Sequence, residues 1–63
     1  MSAFGKQLEK KITGKLNAIA NGEVTVKDAG VNSLLSRLKT IDVAAAEDLQ
    51  KKYIETVKSL KKE

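Results

Sequence analysis

Apolar residues recur along this chain mainly at spacings of three and four, the signature of helices with one buried face. Phe4, Leu8, Ile12, Leu16 and Ile19 make such a stripe and predict a helix over residues 3–20, with Ser2 as its N-cap. Gly5 and Gly14 lie inside it. Each disfavours helix by about 1 kcal/mol relative to alanine, so this helix depends on packing for its persistence. Val31, Leu34, Leu35 and Leu38 give a narrower apolar face to a second helix over residues 26–39, with Ile41 continuing that face. Val26 falls away from it and is expected to be partly exposed. Ala46, Leu49, Tyr53, Val57 and Leu60 line a third helix over residues 43–61, a stripe narrow enough for a coiled-coil-like seam. Ile54 stands about 80° off that stripe and so is expected on a second surface or in solvent.

The joints between these segments are written in capping residues. Asn21-Gly22 suits a helix end, because one of the pair takes the left-handed conformation at small steric cost. Thr25 and Asp28 then have the spacing of a capping box, and Val24, just before the cap, is placed to staple onto Ala29. Thr40, Ile41 and Asp42 form a short second connection in which Asp42 is a good N-cap. Ala44, Ala45 and Ala46, early Glu47 and Asp48, and late Lys58, Lys61 and Lys62 all suit the third helix and its dipole. The one alternating stretch, Glu23 to Lys27, is short and overlaps the capping box, so no strand is expected. The expected fold is all-α: a single three-helix domain over residues 1–63, with tight connections, that self-associates.

Length sharpens the expectation of self-association. A chain of 63 residues buries only about 60% of its unfolded surface, and this one has no cysteine or histidine for a disulfide or a zinc staple. The same absence removes the commonest general base and the softest metal ligands. Glu47 and Asp48 are neighbours and diverge by about 100° on a helix, and Ser33, Ser36 and Thr40 have no evident activating partner. The inventory points away from an enzyme, a bound cofactor, a metal or a small-molecule substrate. No apolar run approaches the roughly 20 residues of a membrane span, and the start lacks a signal peptide's apolar core. A soluble cytoplasmic protein is expected, in the host cytoplasm if the chain is viral.

Charge is where a function could lie. The formal net charge is +4, and the excess sits mainly in the first helix, where Lys6, Lys10, Lys11 and Lys15 face Glu9 alone. Lys6 with Lys10, and Lys11 with Lys15, are like-charge pairs at i, i+4, each mildly destabilising. A phosphate backbone across that helix would relieve the repulsion and release counterions, whereas in the plainer reading these lysines are a solvated face. Lys6 and Lys10 lie opposite the apolar stripe; Lys11 and Lys15 lie near its edge. Phe4 and Tyr53, both on apolar stripes, are expected in the core and not as base-stacking platforms.

Gly22, Glu23, Val24 and Thr25, followed by Asp28, Val31, Leu35 and Ile41 at their present spacing, resemble a segment of the small terminase subunits of short-tailed phages. The likeness covers about residues 22–41. It implies an oligomeric, non-catalytic DNA-recognition subunit that delivers viral DNA to a large ATPase and nuclease partner. It transfers no site residue beyond the shared cap. The expected function is therefore nucleic-acid binding, mainly to phosphates, through Lys6, Lys10, Lys11 and Lys15 with help from Lys27 and Arg37. The alternative is a helical adaptor or inhibitor that docks an apolar face, Leu49, Tyr53, Ile54, Val57 and Leu60, on a partner protein or a second copy.

Overall fold

The computed structural model describes residues 3–61, without the side chain of Lys61. The cap expected at Ser2, Lys62 and the Lys61 side chain lie outside the described residues. Four helical segments follow in order: α1, Ala3–Ala20; α2, Val26–Ala29; α3, Val31–Lys39; and α4, Val43–Lys61. The described residues contain no strand. The fold is all-α.

α1 ends where Asn21-Gly22 requires it to. Gly22 takes φ +77°, its N–H donates to the Ile19 carbonyl (3.1 Å), and the Glu23 N–H reaches back to the Ala18 carbonyl (2.9 Å). These two bonds form a Schellman motif and satisfy carbonyls that the helix end leaves open. Thr25 follows in extended conformation, and its hydroxyl oxygen accepts from the Asp28 N–H at 3.1 Å. The N-cap half of the expected capping box is thus formed.

The helix expected over residues 26–39 is broken once. Gly30 adopts the left-handed conformation (φ +63°, ψ +33°), which closes α2 after a single turn and starts α3 at Val31. A glycine takes this geometry without the Cβ penalty that other residues carry. The break also accounts for Val26. Helical phase does not carry across a left-handed residue, so Val26, partly exposed as expected, still packs its buried part against the core.

α3 and α4 are joined by three residues. The Ile41 and Asp42 N–H groups both donate to the Leu38 carbonyl (2.9 and 2.7 Å), and the Thr40 hydroxyl donates to the Arg37 carbonyl (2.7 Å). Asp42 Oδ1 accepts from the Ala45 N–H at 3.2 Å, the N-cap expected of it. Residues near the end of α3 face the first turns of α4, and residues near the end of α1 face Lys52, Glu55 and Thr56. The three long helices therefore run up, down and up, with α1 parallel to α4 and α3 antiparallel to both.

Between them lie Leu8, Ile12, Leu16 and Ile19 of α1, Ala29, Val31, Leu35 and Leu38 of α2 and α3, and Ala46 and Leu49 of α4. Ile12, Ile19, Val31 and Leu38 are the most completely enclosed large side chains. Three expected apolar positions behave differently. Phe4 is 61% exposed, while Gly5 beside it is buried. Each i, i+4 step rotates the stripe by about 40°, so the series that is central at Ile12 has reached the rim by Phe4. Ile41 is 40% exposed because α3 ends at Lys39, before the phase could bring it inward. The α4 stripe fades from buried Leu49 through half-buried Tyr53 and Val57 to Leu60, 41% exposed. Thr56 already stands beside Ala20, the end of α1, so the last turn of α4 runs past its neighbour.

Candidate functional site

The lysines proposed from sequence as one site are divided by the fold. Lys6, Lys10 and Lys11 are exposed on α1, and Lys15 is half-buried. About 100° separates Lys10 from Lys11, so Lys6 and Lys10 occupy the outer side of α1 while Lys11 and Lys15 flank its boundary with α3. On that boundary is an open groove of about 190 Å³, lined by Phe4, Gln7, Leu8 and Lys11 from α1 and by Leu34 and Arg37 from α3. The groove brings Lys11 and Arg37, 26 positions apart in sequence, to one place.

The electrostatics of this groove follow from its two helices. α3 has the sequence VNSLLSRLK and contributes no acid at all. The single acid of α1, Glu9, lies about 160° around the helix from Lys11. A cationic rim around a partly apolar floor results. Lys27 does not join it: that residue lines a separate hollow with Val26, Gly30, Val31 and Tyr53.

The residues proposed as an apolar interface are likewise divided. Leu49 belongs to the core and Tyr53 packs against it, because the first half of the α4 stripe is covered by α1 and α3. Ile54, 46% exposed, and Leu60 remain open, with Val57 half-buried.

Phe4, Gln7 and Leu34 were not selected as site residues from sequence. The signal for Phe4 was present in the stripe's rotation, which puts residue 4 near the azimuth of Lys11 and Lys15 and away from that of Ile12. Leu34 and Gln7 acquire their place only through the approach of α3. Among the described residues no group of three or more acids, histidines or cysteines is placed to hold a metal ion, and no helix is long and apolar enough to cross a membrane. The α1–α3 groove falls below the roughly 300–1,000 Å³ of typical small-molecule pockets, so it suits one ring or side chain of a larger ligand. Comparison with known proteins finds no matching family model, no matching curated protein and no matching solved structure.

Proposed function

We propose that this chain is a small non-catalytic helical module that binds nucleic acid through the phosphate backbone, using α1 and the adjoining edge of α3. The observation that carries this reading is the meeting of Lys11 and Arg37 across a groove to which α3 brings no acid. Lys15 stands about 40° from Lys11 around α1, on the same side of that helix, and Lys6 and Lys10 extend the cationic surface around it. Neutralising phosphates here releases condensed counterions, which gives affinity without sequence readout. Lys27 is left out of the surface because it lines a different hollow. The resemblance of residues 22–41 to small terminase subunits favours phage DNA packaging as the setting, with an oligomer as the working form.

A salt titration of binding to duplex DNA tests the reading. Engagement of Lys11, Lys15 and Arg37 predicts a log–log slope of about −2.7, at roughly −0.9 per phosphate. Lys11→Glu with Arg37→Glu abolishes binding, while Lys27→Glu leaves most of it. No measurable affinity for duplex or single strands even at low salt sinks the proposal.

A second reading rests on exposed Ile54 and Leu60: an adaptor that docks this part of α4 on a partner helix. The two readings separate cleanly. Polar substitution of Ile54 and Leu60 removes an adaptor's affinity and leaves DNA binding intact.

A further inference from the structure

Phe4 has an unusual position for a large apolar side chain. The residue is 61% exposed, yet it is not isolated: it lines one groove with the cations of Lys11 and Arg37 and the amide of Gln7, over apolar Leu8 and Leu34. An aromatic face flanked by two cations is what single-stranded nucleic acid needs. A base presents a π-face of its own to stack on the ring, and its flanking phosphates meet the cations. In a duplex the bases are already stacked on one another, so Phe4 gains nothing from them. From this geometry we infer that the α1–α3 groove is a single-strand site in which one base stacks on Phe4 while Lys11 and Arg37 hold the adjacent phosphates. The inference rests on the nucleic-acid reading above and adds to it the strandedness of the ligand and the residue that senses it.

Within the groove the parts have distinct roles. Leu8 and Leu34 form an apolar floor that keeps water from one side of the stacked base, and Gln7 offers both a donor and an acceptor to the base edge. Neither role selects one base strongly, because every base has a π-face and an amide matches several edges. The expected ligand is therefore an unpaired strand of mixed sequence, or an unpaired end or loop next to a duplex. An acidic peptide with an apolar anchor has a related chemistry, carboxylates on the cations and a side chain on the floor. The exposed ring favours the base, since a planar group gains most from a planar face.

Fluorescence anisotropy with three labelled probes of about 12 nucleotides, within the site size of small single-strand binders, provides the test. The probes are an oligothymidylate, a base-free deoxyribose phosphate strand of the same length, and a duplex. Oligothymidylate is expected to bind at least about tenfold more tightly than the base-free strand. Phe4→Ala and Phe4→Leu should each weaken oligothymidylate by about 5- to 150-fold and leave the other two probes unchanged, while Phe4→Trp preserves binding. Far-ultraviolet circular dichroism confirms that each variant folds, as an exposed side chain allows. Equal affinity for the strands with and without bases, or indifference of oligothymidylate to Phe4→Ala, overturns the inference while duplex binding with its salt slope leaves the broader reading standing. Loss of all three probes in the wild-type protein overturns both. Tight, Phe4-dependent binding of a glutamate- and leucine-rich peptide that oligothymidylate does not compete away assigns the groove to a protein partner and likewise overturns the inference.

Discussion

Two glycines with opposite expected responses show how backbone conformation, and not packing space, decides a substitution. A Cβ added at Gly14 or at Gly30 meets nothing within 4 Å. Gly14 sits mid-helix in α1 and is exposed, so Gly14→Ala should stabilise the protein by up to about 1 kcal/mol. Gly30 has φ +63°, so Gly30→Ala should cost about 1 kcal/mol or more. Thermal unfolding followed by circular dichroism checks both, with shifts of roughly 4–8 °C per kcal/mol in a domain of this size and opposite signs. Ile12 tests the core. It is fully enclosed, and Ile→Ala at such a site costs about 2–5 kcal/mol, comparable to the whole stability of roughly 3–9 kcal/mol expected at this length. Ile12→Ala should therefore populate the unfolded state measurably in water, and Ile12→Val should give a graded intermediate in a urea titration.

α2 is the least supported of the helical elements. It is one turn long, bounded by the Thr25 hydroxyl at one end and left-handed Gly30 at the other. Thr25→Ala removes the cap and should cost about 1 kcal/mol, with the loss concentrated in α2. Hydrogen exchange should then show the amides of Asp28 and Ala29, which bond to Thr25, opening while those of α1 and α4 keep their protection. The two joints that define this region were largely legible, because Asn21-Gly22, Thr25 with Asp28, and Asp42 name their caps in the residue types themselves. The break at Gly30 was not. A glycine inside an apolar period is compatible with an unbroken helix, and only the closing of core side chains on both sides selects the left-handed geometry. The site was legible in its charges and not in its geometry. Lys11 and Lys15 were placed at the stripe's edge by counting, whereas the partnership of Lys11 with Arg37 depends on which long helix lies beside α1. Phe4 was misread because the stripe was treated as straight, although its own spacing rotates it.

At the scale of the molecule, the three long helices form a body of 38 × 18 × 14 Å, elongated along the helix direction by the overhang of α4. That overhang carries Leu60, with Ile54 a little before it, and is the place where self-association would be read. Light scattering across protein concentration should show a larger species weakened by Ile54→Lys with Leu60→Lys; a species unaffected by that pair would place any contact elsewhere. The joins between long helices have a consequence for how the molecule comes into being. The three-residue join lets α3 and α4 close on each other at little cost in loop entropy, and α1, whose partners in α3 and α4 lie far along the chain, then docks on that pair. The chain has no proline, so no prolyl isomerisation can delay it. Refolding after a temperature jump should be a single exponential in the microsecond-to-millisecond range with no slow phase. The bundle would then form almost as soon as α4 has emerged from the ribosome.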